Sequence, residues 1–380
     1  MQARSTYQAA QLVAVKIEEH FMRQHSQAQQ LGEQILAPQP SAAIIQQLLD
    51  VSFWASLRRE EGHSPTISLA YLAPEQAEHP MLLQQRLPFT SYVLIKLSPG
   101  VERAGIHLGV WQDNGQLYIW GTTRTIPSLC FVLDVSEPGL LVIKHRRLDG
   151  FGKFKNVAIL QGDQIKIIDE EVSRIPDCPG LLSELLGSRS STYWYDSLNV
   201  LVQLAVSMRA HGRGGILLIV PHGSEQWRES IVHPISYALH PHFSGLAALV
   251  EQSGSEREQP GWQSSFRREV DSIGGLTAID GATIMSDRYH LLAFGTKIMR
   301  GNGRESIERL YSTEPIIGVQ PSYEHPSKSG GTRHLSAAQF VHDQQDSMAL
   351  VASQDGRFTI FSWSPCEGIV QAHRIDSLLL

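Results

Sequence analysis

Two short segments in the second half of this 380-residue chain combine residue types suited to chemistry on phosphates. The first runs Leu276-Thr-Ala-Ile-Asp280-Gly281-Ala282-Thr-Ile-Met. It sets a carboxylate just before an apolar run, followed by two residues small enough to let a ligand approach the backbone. The same pattern is also a common Asp-Gly turn leading into a strand. The second runs Ser329-Gly330-Gly331-Thr332-Arg333-His334-Leu335-Ser336-Ala337-Ala338. A glycine loop that opens a helix turns backbone N–H groups and the positive helix end toward an anion. Thr332 adds a hydroxyl, and Arg333 adds a fork matched to phosphate oxygens. His334 can donate to a phosphate or ligate a metal. A solvated loop with an N-capped helix is the plainer alternative.

The remaining candidates carry less. His211, His222 and His290 are scattered and read as surface or satisfied histidines. His240 and His242 flank Pro241 with no third ligand near them, which reads as a helix-terminating turn. Trp54, Trp111 and Trp120 read as core or interface residues. Lys plus Arg is 32 and Asp plus Glu is 38, so the net charge of −6 disfavours nucleic acid as a partner. Cys130, Cys178 and Cys366 lie far apart without CxxC spacing. That argues against a disulfide framework or a zinc knuckle, and a reducing cytoplasm is the expected location. No apolar run approaches the ~18–20 residues of a membrane span. The first residues contain acids and no h-region, so neither a signal peptide nor a membrane partner is expected.

Elements must hold these segments. Residues 5–31 lack Pro and Gly, and Leu12, Val13, Ile17 and Phe21 recur at helical spacing. After Pro38 and Pro40, Ser41 can cap a second helix carrying Ile44, Ile45, Leu48, Leu49 and Trp54. From about 66 to 170 short β-rich runs alternate with turns: TISLAYL, SYVLIKL, GIHLGVW, QLYIWGT, LCFVLDV, GLLVIKH, KNVAIL and QIKIID. Asp113-Asn114-Gly115 reads as a hairpin turn, and Gly162-Asp163 as a weaker one. Residues 173–191 hold Pro, Gly and Ser and read as a connection with a short helix inside it. Leu198, Leu201, Val202, Ala205 and Met208 form the stripe of a half-buried helix, ended by Gly212, Gly214 and Gly215. The buried strand ILLIV (216–220) follows. Helices are expected at 228–240 and 262–273, and strands at 282–286, 291–294, 347–352 and 358–363. This alternation gives an α/β fold, with a smaller α+β domain before it.

Taken together, Asp280-Gly281-Ala282 and Gly331-Thr332-Arg333-His334, then Ala337-Ala338, resemble the paired signature of the diadenylate cyclase (DAC) domain. The segments 198–220 and Ala349 to Phe361 are similar to that family's flanking elements, so the resemblance covers about 190–365. It implies a DAC-like domain over 190–380 with a central mixed sheet flanked by helices. Three departures stand out. Leu335 replaces a second arginine, with Ser336 added before the alanine pair. Ser353-Gln354-Asp355 keeps one acid of a Ser-Glu-Glu element. Residues 299–330 form an insertion between the two signatures. The first half resembles the DACNV type of sensor domain through FWASLRREEG (53–62) and the extended strand after it. This gives an N-terminal helix at 1–40 and a sensor domain at 41–175.

The resemblance implies an enzyme that joins two ATP into cyclic di-AMP and releases pyrophosphate, under control of the sensor domain. Asp280, Arg333 and His334 would be catalytic. Gly281, Ala282, Gly331, Thr332, Arg333 and His334 would hold the nucleotide. Asp280 and Asp355 would hold Mg²⁺ or Mn²⁺, which favour oxygen ligands. A homo-oligomer with face-to-face cyclase domains is implied. The alternative is an inactive cyclase relative that binds a nucleotide or cyclic dinucleotide.

Overall fold

The computed structural model describes residues 6–33, 35–60, 62–103, 105–148, 154–186, 197–257, 259 and 261–380. The chain is mixed α/β with two mixed sheets, and it divides into two compact units, residues 1–168 with Leu380, and 169–379. None of the described helices is long and apolar enough to cross a membrane.

The first unit opens with α1 (Gln8–Gln30), α2 (Ala42–Ser56) and, later, α3 (Ser91–Leu97). Its strands are β1 (Ile67–Tyr71), β2 (Met81–Pro88), β3 (His107–Asp113), β4 (Gln116–Thr123), β5 (Phe131–Glu137), β6 (Leu140–Arg146), β7 (Phe154–Gln161) and β8 (Gln164–Ile167). They lie in the order β2-β4-β3-β1-β5-β6-β7-β8, with β1 and β3 parallel and the other neighbours antiparallel. Val13, Ile17 and Phe21 of α1 and Ile45, Leu48 and Leu49 of α2 pack on Phe131, Leu133 and Ile143 of the sheet. Ser41 caps α2, its hydroxyl accepting from the Ile44 N–H at 3.4 Å. Asn114 (φ 50°) and Gly115 (φ 77°) are both left-handed, the pair of conformations a two-residue hairpin turn requires.

Two expectations fail here, and two further features escape the sequence pattern, each for a local reason. SYVLIKL is helix α3 rather than a strand. Thr90 caps it by accepting from the Val93 N–H, and Leu94 and Ile95 are buried on its inner face. The helix expected through 53–62 stops at Ser56, with Leu57 as its cap. Leu12 sits on the outer face of α1, 62% exposed. The edge strand β2 carried no readable signal because nearly its whole length is exposed, which removes the period-two pattern.

The second unit holds α4 (Gly180–Leu185), α5 (Ser197–Ala210), α6 (Gly245–Val250), α7 (Gly254–Arg257), α8 (Trp262–Leu276), α9 (Pro326–Ser329) and α10 (Thr332–Asp343). The connection expected at 173–191 contains α4, and its residues 187–191 lie outside the described residues. The strands are β9 (Gly215–Val220), β10 (Tyr237–Phe243), β11 (Ala282–Ser286), β12 (Leu291–Thr296), β13 (Leu310–Thr313), β14 (Ser322–Glu324), β15 (Met348–Ala352), β16 (Phe358–Ser364) and β17 (Ile369–Arg374). Their order is β10-β12-β11-β9-β15-β16-β17-β13-β14. β9 and β11 are parallel, as are β13 and β17. Every residue of β9 is buried, as a central strand covered on both faces requires. Ala337, Ala338, Phe340 and Val341 of α10 pack on Leu218, Ala349 and Phe361. The helix expected at 228–240 is instead the short turn Gln226–Ser230 followed by β10. Pro234 and Pro241 each lack the N–H a helix interior needs.

Candidate functional site

The sheet register gathers one set of loops. β9 and β11 run parallel and pair Ile216 with Ala282, so the residues before each strand lie at the same sheet end. β15 runs antiparallel to β9 and pairs Ala352 with Gly215, so the turn after β15 arrives at that end too. Gly214, Asp280 with Gly281, and Ser353 to Asp355 therefore share one edge. α10 begins there as well. A methyl group built on Gly214 (φ +73°) would lie 3.2 Å from Arg333 Nη1 and 3.2 Å from the Ala352 carbonyl oxygen. The left-handed backbone angle favours glycine at that position, and a side chain there would press on the guanidinium above it.

Asp280 stands on this edge with its side chain 86% exposed, in an ion pair with Lys297 Nζ. The hydrogen bond and charge of Lys297 hold its carboxyl below the usual carboxylate range, and the Arg333 charge adds to this. Asp280 is thus a carboxylate at neutral pH, and Arg333 lies within its electrostatic reach. Gly281 (φ +114°) has no room for a side chain, since a Cβ would fall 2.5 Å from the Gly295 carbonyl carbon. Ala282 is fully buried at the start of β11, opposite Thr296 of β12. Its small side chain lines the strand, while Gly281 brings the loop backbone against β12.

Gly331 is the N-cap of α10, and no side chain caps that end. Gly331 and Thr332 are exposed, Arg333 is half-buried and His334 is buried. The first N–H groups of the helix thus meet solvent beside Arg333. His334 was expected in front of the loop and lies beneath it, 2% exposed. Its Nε2 is 3.3 Å from Thr359 Oγ1, and its ring meets Phe361 edge-on. Burial pulls its ring below the usual histidine range, with the Asp355 charge opposing, so it is neutral at pH 7. A methyl on Gly330 would overlap the His334 ring, 2.4 Å from Nδ1, so the imidazole props the glycine loop from below. Asp355 sits in the β15–β16 turn with Oδ2 3.2 Å from Arg357 Nε, and its side chain is 57% exposed.

The structure brings Asp280, Gly281, Ala282, Thr332 and Arg333 to one sheet end, and it adds residues that sequence reading missed. Lys297 follows β12, whose antiparallel pairing with β11 returns it to Asp280. Only the hairpin register could have revealed it. Thr277, 1% exposed, links the end of α8 to the start of β9. Its hydroxyl donates to the Gly274 carbonyl at 2.6 Å and accepts from His211 Nε2 at 3.1 Å. The Arg213 N–H donates to His211 Nδ1, which fixes that tautomer. Among the described residues no group of three or more His, Cys, Asp or Glu gathers to hold a metal. Asp280 and Asp355 each offer an exposed carboxylate at that sheet end, both already paired with a cation, Lys297 and Arg357. That suffices only for an ion that takes most of its ligands from phosphates and water, as Mg²⁺ does.

No curated protein matches the chain. Among solved structures, it is similar to a crystal structure described as a hypothetical membrane spanning protein from Bacillus cereus, with 15% identity and a TM-score of 0.26. The match covers 47% of this chain and 63% of that one, so it spans under two thirds of that structure's length. Residues 34–124, all in the first unit, match the family described as "Probable sensor domain DACNV", a domain of diadenylate cyclase proteins.

Proposed function

We propose that this protein is a diadenylate cyclase whose second unit joins two ATP into cyclic di-AMP under the control of its sensor-type first unit. The observation that carries the reading is the meeting of two segments distant in sequence, Asp280-Gly281 and the Arg333 loop, on one edge of a mixed sheet. The DACNV match over 34–124 supports the same reading from the other unit.

Each protomer holds one ATP, with two protomers face to face. The 3′-oxygen of one ATP attacks the α-phosphorus of the other, the bond to the bridging oxygen breaks, and pyrophosphate leaves. Repeating the step in the opposite sense closes the ring and releases the second pyrophosphate. Asp280, with Asp355 as a further acid at that edge, would hold a Mg²⁺ or Mn²⁺, which would supply charge neutralisation on the phosphates. Asp280 is already ionised at neutral pH. It therefore orients and polarises the attacking hydroxyl, whose proton leaves to solvent. The open N–H groups at Gly331 and Thr332 and the Arg333 guanidinium bind phosphate oxygens and the leaving pyrophosphate. Gly281 and Ala282, expected to make room for the nucleotide, instead set the edge itself: the space beside Gly281 is filled by the β12 backbone, and Ala282 is buried in β11. His334 acts as a positioning residue beneath the loop.

A specific observation favours a second reading, a cyclase relative that binds nucleotide without turnover. Lys297 occupies the Asp280 carboxylate, and Leu335 stands exposed where the resembling family has an arginine. Incubation of the purified protein with ATP and Mn²⁺, followed by mass spectrometry, separates the two. Cyclic di-AMP is the expected product. A folded protein that binds ATP and yields none would leave the binding reading.

A further inference from the structure

We propose a second ligand site in the second unit, a groove built by the insertion 299–330 that binds a nucleotide phosphodiester of low charge. The groove has a volume of about 920 Å³ and is lined by Arg300, Arg304, Arg309, Tyr323, His342 and Trp363. That size lies in the range of ligand-binding clefts. Four of the six residues belong to the insertion that separates the two signature segments. The proposed catalytic edge is formed by a different set of residues, and none of them lines this groove.

The groove is held in shape. Asp343, 3% exposed on α10, accepts from the Gly301 N–H at 2.8 Å and from Gln339 Nε2 at 2.8 Å. Gln339 in turn accepts from the Ile307 N–H at 2.9 Å and donates to the Glu305 carbonyl at 3.0 Å. Met299 N–H bonds the Ser230 carbonyl at 2.9 Å. Buried side chains of α10 thus fix the loop at Gly301, Glu305 and Ile307, with Arg304 between these points and Arg300 just before the first. A loop pinned by a buried carboxylate and a buried amide gives its guanidinium groups a defined geometry before any ligand arrives.

The lining chemistry selects the ligand. Guanidinium forks match phosphate oxygens, and flat aromatic rings take the faces of nucleobases. Arg309 lies 5.0 Å from the Tyr323 ring centroid, so that ring and its cation form one surface. Glu305, Glu308 and Glu367 also line the groove and balance its three arginines. A triphosphate would meet these carboxylates at a cost, whereas a phosphodiester carries one negative charge per phosphate. Carboxylates can also accept from ribose hydroxyls and base amino groups. That the diester is a cyclic dinucleotide, the product class of the proposed reaction, rests on the proposed function; the site itself does not.

The test is calorimetric titration of the full chain with cyclic di-AMP and, separately, with ATP. The wild type is expected to bind cyclic di-AMP more tightly than ATP in the groove. Arg300→Ala with Arg304→Ala should weaken cyclic di-AMP binding by about tenfold or more. Arg333→Ala should leave this binding in place. Because Arg300 and Arg304 are exposed, an unchanged melting temperature is expected and confirms a folded variant. Arg304→Glu gives a second variant expected to lose the same binding. Unchanged affinity in both variants, or loss of all cyclic di-AMP binding in Arg333→Ala alone, overturns the site. Absence of product from ATP bears on the cyclase reading and is measured independently.

Discussion

Lys297 governs how Asp280 behaves at the residue scale. Its hydrogen bond and charge hold the carboxyl below the usual carboxylate range. Removing it in Lys297→Ala should return Asp280 toward ordinary carboxylate values. The acid limb of the pH–rate profile for cyclic di-AMP synthesis is then expected to move to higher pH, since a smaller fraction of Asp280 is ionised at a given acid pH. An acid limb that stays in place would show that Asp280 does not set it. Arg333→Ala should weaken ATP binding by ~1.5–3 kcal/mol, the worth of a charge-assisted phosphate contact; titration calorimetry reads it directly, and unchanged affinity contradicts the contact. Asp280 and Arg333 were legible in sequence because glycine-flanked polar residues stand out against apolar strands. Lys297 was not, because its partnership exists only once β11 and β12 pair. The placement of His334 was also illegible, since the same imidazole at a helix start serves a ligand or a core equally well. Its burial against Thr359 and Phe361 is decided by β16, more than twenty residues along the chain.

At the scale of elements, α10 joins the proposed catalytic edge to the insertion. Its first turn carries Arg333, and its last turns carry Gln339 and Asp343, which hold residues 301–307. Asp343→Ala would strip partners from the buried Gly301 N–H and the Gln339 amide. We expect it to destabilise the second unit by about 2–4 kcal/mol in urea unfolding. A loss below about 0.5 kcal/mol, the range of an ordinary surface change, would contradict this. Long amphipathic helices such as α1, α2, α5 and α8 could be read because many residues repeat one period. SYVLIKL could not, because seven residues rich in β-branched and aromatic types favour a strand, and the Thr90 cap and burial of Leu94 and Ile95 override that preference. The strands β13 and β14 escaped notice because they are short, four and three residues, and sit inside a Gly- and Ser-rich insertion.

Across the whole molecule, buried neutral histidines set a pH dependence of stability. His373, fully buried, has its ring pushed down to about 3 by loss of hydration, and His20 and His145 in the first unit are pushed down to about 3 as well. His373 accepts from Thr313 Oγ1 at 2.7 Å and donates to Gln371 at 3.1 Å, bonds the neutral ring makes. The unfolded chain takes up protons from about pH 6.5 downward, and the folded chain does not. Stability is therefore full above that value and falls continuously between about pH 6.5 and 3. At pH 5 the loss for His373 alone is about 2 kcal/mol. Urea midpoints at pH 7.5 and pH 5 check this, and equal midpoints would contradict it. Synthesis of cyclic di-AMP by the second unit is tested most directly by product stoichiometry. Wild-type protein with ATP and Mn²⁺ should release two pyrophosphates for each cyclic di-AMP, and Asp280→Asn should bind ATP but form neither. Full synthesis by Asp280→Asn, or pyrophosphate release by the wild type with no cyclic dinucleotide, would contradict the account.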